Sequence, residues 1–210
     1  IKIFGGKPMI AWSIEAAQKS LLFDRIIVST DDDEIASISK KYGADVPFMR
    51  PTRLSDDNTE TTPVIAHAIE WCLLEGYDPS YVCCIYATAP FISSKDIERG
   101  MQILEGSEAN FAFSVTSYAF PIQRAFKLKS DGGVEMFDPS QFHTRSQDLP
   151  EAFHDAGQFY WGTPTAWLSG KPIFGSGSLP VILPRYRVQD IDTPEDWDQA
   201  EVLLTVLLNK

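Results

Sequence analysis

The stretch Tyr81-Val82-Cys83-Cys84-Ile85-Tyr86 is apolar throughout, which is typical of a strand in a sheet that is covered on both faces. A helical pattern of apolar residues follows at 94–104, with a serine in position to cap it. A further apolar stretch at 110–116 predicts a second strand. Because strands that are joined by a crossover helix run parallel, this order predicts a parallel, doubly wound α/β sheet.

The same alternation of strand and helix extends toward both ends of the chain. Before the opening stretch we expect strands at 25–29 and 46–48 and three helices. The first helix starts at Pro8 and has Ile10, Ile14, Ala17 and Leu21 on its core face. The second is capped by Thr30 or Asp31 and stops at Gly43, and the third runs from Thr61 or Thr62 to Gly76. After it we expect strands at 157–161, 181–183 and 186–188 and helices that are capped by Thr163 and Thr193.

The alternation is interrupted at 118–150, a segment that we call the arm. Asp131-Gly132-Gly133 is a hairpin signal between two short apolar runs, so we expect the arm to be an antiparallel excursion from one α/β domain that spans 1–210. Excursions of this kind form dimer contacts or lids, and we expect one of these roles here.

Net charge and cysteine pattern argue against several kinds of partner and site. The chain has 210 residues and a net charge of -11, which argues against a nucleic acid or an anionic membrane as partner, since both attract basic surfaces. An anionic substrate would therefore need a local basic cleft or a metal ion. Three cysteines, two of them adjacent, do not form a disulfide or zinc pattern, and no stretch approaches the length of a membrane span. We expect a cytoplasmic protein.

The stretch 189–197, Gln-Asp-Ile-Asp-Thr-Pro-Glu-Asp-Trp, combines two carboxylates with a helix start. If 186–188 is a strand that continues into it, Asp190 and Asp192 lie on one face, because strand residues two apart share a face. Thr193 and Pro194 fit the first positions of a helix. Two carboxylates at a rigid strand end suit Mg²⁺, which also takes phosphate and water ligands. The alternative is a solvated strand end before a well-capped helix.

Two further loops carry candidate ligand groups. In 50–57, Arg-Pro-Thr-Arg-Leu-Ser-Asp-Asp, guanidinium groups stand before a helix N-terminus at Thr61, and both favour phosphate oxygens. The alternative is that these arginines pair with Asp56 and Asp57. The small residues of the loop 87–91 would let the backbone approach a flat pyrimidine base, or would simply form a tight turn.

The arm contributes Arg145, a candidate clamp for a substrate carboxylate because its guanidinium can pair in bidentate fashion. The sequence contains no Gly-x-Ser-x-Gly, Cys-x-x-Cys or Gly-x-Gly-x-x-Gly motif. Direct, metal-assisted displacement at a phosphate is therefore the chemistry that the residues favour.

Together these motifs resemble the sialic acid cytidylyltransferase family, and most closely its pseudaminic acid branch. The resemblance runs from Lys2 to Asn209 and is carried by the stretches Phe4-Gly5-Gly6-Lys7-Pro8-Met9-Ile10, Ser29-Thr30-Asp31-Asp32, 43–51, 145–150 and Asp190-Ile191-Asp192. It implies a Rossmann-like three-layer α/β/α nucleotidyltransferase with a mostly parallel sheet. It also implies transfer of CMP from CTP to an acidic nine-carbon sugar, with Mg²⁺, in a homodimer.

The resemblance also implies roles for individual residues. It places Asp190 and Asp192 on the metal and, with Arg145, among the catalytic residues. The nucleotide-binding residues that it implies are Arg50, Thr61, Tyr86, Ala87 and Thr88. The sugar-binding residues that it implies are Arg145, Gln147, Gln158 and Tyr160.

Two departures from the family bear on the sugar, and a third on the fold. Where sialate-activating members show Gln-Pro-Thr-Ser-Pro, this chain has Tyr-Ala-Thr-Ala-Pro at 86–90, and Asp-Ala-Gly-Gln-Phe-Tyr at 155–160 replaces an Asn-Gly motif. Both changes favour pseudaminic acid over N-acetylneuraminic acid, with legionaminic acid as a further alternative. We expect the family's first strand and phosphate loop to lie upstream of Ile1. The alternatives from other classes are a non-catalytic nucleotide-sugar binder and a metal-dependent phosphatase.

Overall fold

The computed structural model describes residues 1–56 and 58–208, in which the elements follow the predicted alternation of strand and helix only in part. The helices are α1 Met9–Ser20, α2 Asp33–Lys41, α3 Thr61–Leu74, α4 Ser94–Glu105, α5 Pro164–Leu168 and α6 Pro194–Leu208. The strands are β1 Ile3–Phe4, β2 Lys7–Pro8, β3 Val82–Ile85, β4 Phe111–Ser117, β5 Phe126–Leu128, β6 Val134–Met136, β7 Phe153–Gly162 and β8 Ser178–Ile182.

The main sheet is mixed, with the strand order β3-β7-β4-β8. β4 and β8 pair in parallel, whereas β7 is antiparallel to both β3 and β4. β3, β4 and β8 therefore point in one direction and only β7 is reversed. The predicted mostly parallel sheet is confirmed in part. The reversal has a simple cause, because the chain leaves β4, turns through the arm and returns beside β4 without a crossover helix.

Helices cover both faces of the sheet, as the apolar opening stretch predicts. Along β7 the side chains alternate: Phe159 and Trp161 pack with Ile97 of α4 on one face, whereas Tyr160 packs with Ile69 of α3 on the other. Residues two apart on a strand share a face, so β7 supplies both apolar layers. The arrangement has the three α/β/α layers that the resemblance implies.

Gly100 sets the distance between α4 and the sheet. A Cβ at this position would lie 2.7 Å from the Phe159 ring and 2.8 Å from the Trp161 ring. We expect Gly100→Ala to lower the free energy of unfolding, because overpacking costs about 1–3 kcal/mol and exceeds the gain of up to about 1 kcal/mol in helix propensity. Urea denaturation measures the effect. Gly175→Ala is the control, since its Cβ would make only ordinary contacts of 3.4 Å and beyond, and an equal loss in both variants would contradict the packing account.

Two expectations near α1 and α2 are wrong. Leu21 is 91% exposed and ends α1 in the left-handed conformation, with φ of 56°, so the buried face of this helix ends at Ser20. The cap of α2 is Asp32, whose carboxylate accepts a hydrogen bond of 2.8 Å from the Ile35 N–H, and neither Thr30 nor Asp31 takes that role. In each case the helix boundary differs by one or two residues from the position that the apolar spacing indicates.

Three predicted strands are absent from the part of the chain that the structure describes. The segment 25–29 keeps one parallel bridge, between Ile27 and Asp45, and the segment 46–48 forms neither a strand nor a bridge. The predicted strand at 186–188 is replaced by a 3-10 turn, Arg185–Arg187, in which the Arg187 N–H donates to the Pro184 carbonyl at 2.9 Å.

The arm is the antiparallel excursion that the sequence predicts. β5 and β6 form a hairpin in which Phe126 lies opposite Met136. The turn of this hairpin is closed by a hydrogen bond of 2.9 Å from the Lys129 N–H to the Gly133 carbonyl, with Gly132 at φ of 83°. Short 3-10 turns then lead back toward β7.

No helix among the described residues is long and apolar enough to cross a membrane. Cys72, Cys83 and Cys84 are free thiols. Burial raises the pKa of Cys84 to about 12, so this thiol stays protonated at neutral pH.

Candidate nucleotide and metal site

A cavity of about 330 Å³ lies between α1, α3 and the carboxyl end of β3. Its apolar part, which we call the floor, is formed by side chains of α1, α3 and the segment 26–28. Its polar part, which we call the mouth, includes Arg50 and Thr61. All five residues that were expected to bind the nucleotide line this one cavity, namely Arg50, Thr61, Tyr86, Ala87 and Thr88. Ligands of open α/β sheets bind at this end of the strands.

Arg50 presents a guanidinium group to the cavity. Its Nη2 lies 3.3 Å from Asp31 Oδ1, and its backbone N–H donates to the Thr30 carbonyl at 2.8 Å. Its Nε is buried without a hydrogen-bond partner among the described residues, and so is the hydroxyl of Ser29 beside it. Buried donors of this kind are normally paired, so these two groups indicate a site for an acceptor, such as a phosphate oxygen.

The alternative of arginines paired with Asp56 and Asp57 receives no support at Arg50. Asp56 instead accepts hydrogen bonds of 2.9 Å from the Asn58 N–H and the Thr59 hydroxyl, and it is Asp31 that Arg50 contacts. Asp57 lies outside the described residues.

The N-terminus of α3 supplies further donors at the cavity mouth. Glu60, the residue before the helix, makes no side-chain hydrogen bond to its first turn, so the N–H groups of that turn remain available to an anion. The Thr61 hydroxyl lies 3.3 Å from the Tyr86 hydroxyl. Although the net charge of the protein is negative, these groups and Arg50 together form a local site that favours an anion.

Tyr86 connects the polar groups at the cavity mouth to β7. Its ring lies 5.1 Å from the ring of Tyr160, and the Tyr160 hydroxyl donates to the Asp155 carboxylate. Burial, followed by the hydrogen bond and the charge of Asp155, raises the pKa of Tyr160 well above its usual range. Tyr160 therefore remains a protonated donor, and its hydroxyl is directed at Asp155.

Asp155 is a residue that the sequence analysis missed. Asp155 and Tyr160 are five apart, so a regular strand would place them on opposite faces. The pairing of β4 with β7 shifts between Phe113 and Val115: Phe113 faces Tyr160 and Val115 faces Asp155. This bulge adds three residues to β7 and brings the two side chains together. Gly157, at φ of 60° within the bulge, is the one signal that the sequence offers.

Asp190 and Asp192 lie between the 3-10 turn and α6, and both are exposed. A Cβ on Gly157 would lie 3.8 Å from Asp190 Oδ1, so the acid pair is next to the β7 bulge. The pKa of Asp190 is raised, first by partial desolvation of its carboxyl group and then by the charge of Asp192, with smaller contributions from Asp155 and Asp196. Negative charge is thus concentrated at this point.

The expected start of α6 is confirmed. The Thr193 N–H donates to Asp196 Oδ2 at 2.8 Å, and the Asp196 N–H donates to the Thr193 hydroxyl at 3.2 Å. This reciprocal capping box fixes the chain directly after Asp192. The carboxylates are therefore held by a turn and a helix cap, and not by the strand that the sequence analysis expected.

The residues of the acid pair fit a Mg²⁺ ion. Mg²⁺ is commonly bound by one or two carboxylates together with water and substrate phosphates, and Asp190 and Asp192 supply two exposed carboxylates whose mutual repulsion a cation would relieve. Within the described residues no group of three or more His, Cys, Asp or Glu side chains is arranged to hold a metal.

The residues that were expected on the sugar side are dispersed. Arg145 lies on the arm, is absent from the described cavity lining, and pairs with Asp148 through hydrogen bonds of 2.7 and 3.1 Å. Gln147 is exposed on the same turn. Gln158 is only 3% exposed, and its Nε2 donates to the Arg187 carbonyl at 2.7 Å. The Tyr160 ring packs against Tyr86 of the cavity lining, and the sugar contacts of all four residues stay predictions.

Residues 1–158 match the family model described as cytidylyltransferase. The chain belongs to the cytidylyltransferase family. It is 43% identical over 203 residues to the pseudaminic acid cytidylyltransferase of Campylobacter jejuni strain 81-176, a match that covers 97% of this chain and 88% of that protein. It is 28% identical to the N-acylneuraminate cytidylyltransferase of Escherichia coli O18:K1:H7, with 92% of this chain and 45% of that protein covered.

The fold of this cytidylyltransferase also matches solved structures. The CMP:2-keto-3-deoxy-manno-octonic acid synthetase complexed with CTP superimposes with a TM-score of 0.67 and 14% identity, covering 98% of this chain and 90% of the other. At this identity the likeness shows the fold alone. It confirms the nucleotidyltransferase-like α/β architecture.

Proposed function

We propose that this cytidylyltransferase transfers CMP from CTP to the anomeric hydroxyl of pseudaminic acid or a related nonulosonic acid and releases pyrophosphate. The observation that carries the proposal is the single cavity that gathers Arg50, Thr61 and the loop 86–88 at the carboxyl end of β3. The 43% identity to a pseudaminic acid cytidylyltransferase supports the sugar class. The three free cysteines support a cytoplasmic location, which stays a prediction.

The chemistry is a displacement at phosphorus. The anomeric oxygen of the sugar forms a bond to the α-phosphorus of CTP, the bond from that phosphorus to the β-phosphate oxygen breaks, and the hydroxyl proton passes to water. Arg50 and the first turn of α3 would bind phosphate oxygens, and the loop 86–88 would contact the nucleoside. Mg²⁺ held by Asp190 and Asp192 would supply charge neutralisation for the phosphates. No residue in this scheme acts as a covalent nucleophile.

Pyrophosphate release from CTP tests the proposed function. The purified chain, extended by the residues that naturally precede Ile1, is incubated with CTP, Mg²⁺ and one of three sugars: pseudaminic acid, N-acetylneuraminic acid or legionaminic acid. We expect stoichiometric pyrophosphate and CMP-sugar with pseudaminic acid as the preferred substrate. CTP binding without pyrophosphate would favour a non-catalytic nucleotide-sugar binder, and free phosphate without preference for cytosine would favour a metal-dependent phosphatase.

We propose in addition that a further strand fills the floor of the cavity. The floor lies between two strand edges. One is the segment 26–28, which pairs with Asp45 on its other side. The other is β3, which among the described strands pairs with β7 alone. α1 and α3 lie on opposite faces of the sheet, so this groove has the apolar walls of a strand position. An extended segment upstream of Ile1, as the resemblance implies, would fill it and leave the mouth to CTP.

Hydrogen exchange tests this further strand. In a chain extended by the residues that naturally precede Ile1, the amides of 82–86 should exchange more slowly than in the 210-residue chain, because the second edge of β3 would then be paired. The amides of α4 serve as the internal control. Equal exchange at 82–86 in both chains would contradict the proposal.

We propose that the arm joins two copies of the chain. Phe120 is 82% exposed and Leu128 78% exposed, and a groove of about 550 Å³ lies between 118 and 125, beside Ser146. The other large apolar side chains that the arm exposes are Tyr118, Ile122, Phe126, Val134, Phe137 and Phe142. Monomeric proteins rarely expose so many large apolar side chains in one patch. The resemblance implies a homodimer, so the partner that it supports is a second copy of this chain.

Light scattering coupled to gel filtration checks the homodimer. We expect the unmodified chain to have the mass of a dimer and Phe120→Asp to have that of a monomer, because a charge cannot be buried unpaired at an apolar interface. Val202→Asp on α6 is the control, since this side chain is 65% exposed but lies outside the arm. A dimeric Phe120→Asp variant, or a monomeric unmodified chain, would contradict the role given to the arm.

A further inference from the structure

The segment that carries Asp190 and Asp192 belongs to neither a strand nor a helix, so its position depends on side-chain contacts. On its C-terminal side the capping box of Thr193 and Asp196 holds it. Ile191, between the two acids, packs into an apolar cluster with Phe4. The N-terminal side is held by a different device, which centres on Arg187.

Arg187 is tied to α4 by its side chain. Its Nη1 donates to Asp96 Oδ2 at 2.6 Å, and Asp96 is only 5% exposed. A second arginine, Arg99, lies 3.3 Å from the other carboxylate oxygen of Asp96 and donates to the Ile182 carbonyl at 2.6 Å. A buried carboxylate needs such partners. The ion pair of Arg187 with Asp96 therefore links the chain three residues before Asp190 to the first turn of α4.

Arg187 is also tied to β7 by its backbone. Its carbonyl accepts a hydrogen bond of 2.7 Å from Gln158 Nε2. The backbone N–H groups of Gln158 and Phe159 in turn donate to the Ser114 hydroxyl of β4, at 3.3 and 3.1 Å. Gln158 directly follows Gly157, at which a Cβ atom would lie 3.8 Å from Asp190 Oδ1. One glutamine thus connects the bulge of β7, the neighbouring strand and the chain before the acid pair.

We propose that Asp96, Arg187 and Gln158 form a latch that positions Asp190 and Asp192 for a divalent cation. This inference rests on the proposed function of the acid pair. Arg187 and Asp96 are positioning residues, because neither belongs to the cavity lining and Arg187 acts on the acids through the backbone. Interactions that orient metal ligands from a distance commonly change metal affinity 10- to 100-fold when they are lost.

The test measures Mn²⁺ affinity by electron paramagnetic resonance, with the free Mn²⁺ signal titrated against protein in the presence of CTP. We expect Arg187→Met to weaken Mn²⁺ binding by about 10-fold or more and Arg187→Lys to restore part of the loss. CTP affinity measured without metal should stay unchanged in both variants. This split separates positioning of the acids from a general loss of structure.

Folding of the variants is protected by Arg99, which leaves Asp96 with a partner when Arg187 is replaced. Asp96→Asn is the second variant, since it keeps the hydrogen-bonding shape and removes the charge. Arg25→Met is the matched control, because it breaks an ion pair of 3.1 Å with Asp45, beside the Ile27 bridge at the opposite edge of the described fold.

The outcomes separate the latch from the metal site. Equal Mn²⁺ affinity in the unmodified chain and in Asp192→Ala would overturn the proposed metal site, and with it the latch. Weak binding in Asp192→Ala, but unmodified affinity in folded Arg187→Met and Asp96→Asn, would overturn the latch alone. A loss in Arg25→Met as large as that in Arg187→Met would also overturn it.

Discussion

Asp192→Ala is expected to lower kcat for CMP transfer by about 100-fold or more at saturating Mg²⁺. The physical reason is the loss of one of two carboxylates at a site where a metal contributes several kcal/mol of charge stabilisation, and each 1.36 kcal/mol corresponds to a tenfold change in rate. Asp192 is exposed, so its replacement removes no core packing. Pyrophosphate release under single-turnover conditions measures the effect on chemistry separately from product release.

The control for this variant is Asp198→Ala. Asp198 is also exposed and lies on α6, outside the acid pair, so its replacement changes net charge equally and should leave kcat unchanged. The thermal unfolding midpoint of both variants should remain near that of the unmodified chain. If Asp192→Ala kept nearly full turnover in excess Mg²⁺, the assignment of the acid pair as the metal site would be wrong.

Arg50→Met is expected to raise the KM for CTP roughly 10- to 100-fold. A hydrogen bond to a charged group contributes about 1.5–3 kcal/mol, which corresponds to this range in affinity. The buried Nε of Arg50 lacks a partner among the described residues, so the guanidinium is prepared for a ligand that the methionine side chain cannot bind. Isothermal titration calorimetry with CTP gives the change in affinity directly.

Arg53→Met is the matched control for Arg50. Arg53 lies on the neighbouring 3-10 turn, Thr52–Leu54, is exposed, and is absent from the described cavity lining. Loss of its charge should leave CTP affinity within about twofold if binding depends on the cavity, and not on the general field of the protein. Equal weakening by the two replacements would contradict the phosphate site at Arg50.

Much of the fold could be predicted because its signals are local. The apolar stretch 81–86 indicates a buried strand without knowledge of its neighbours, and Thr193 with Asp196 specifies a helix start through adjacent residues. The loops after these elements carry the candidate ligands. Arg50 and the loop 86–88 line one cavity, although the strand that was predicted before Arg50 does not form.

The features that could not be predicted depend on contacts distant in sequence. The reversed direction of β7 follows from the path of the arm, which no spacing in the sequence encodes. The bulge that brings Asp155 to Tyr160 is set by the register of β7 against β4. Arg187 meets Asp96 across ninety-one positions of the chain. The ion pair of Arg145 with Asp148 is local, since the two residues are three apart. The hydrophobic periodicity of the sequence gives no indication of this pair.

One divalent ion on Asp190 and Asp192 and one CTP at Arg50 should share a site. Anomalous scattering from Mn²⁺ in crystals grown with CTP would locate both ligands. We expect a single strong peak at coordination distance from both carboxylates and from CTP phosphate oxygens, with Arg50 in contact with the triphosphate. A metal peak away from these two acids, or CTP bound elsewhere than the cavity of Arg50 and Thr61, would contradict this expectation.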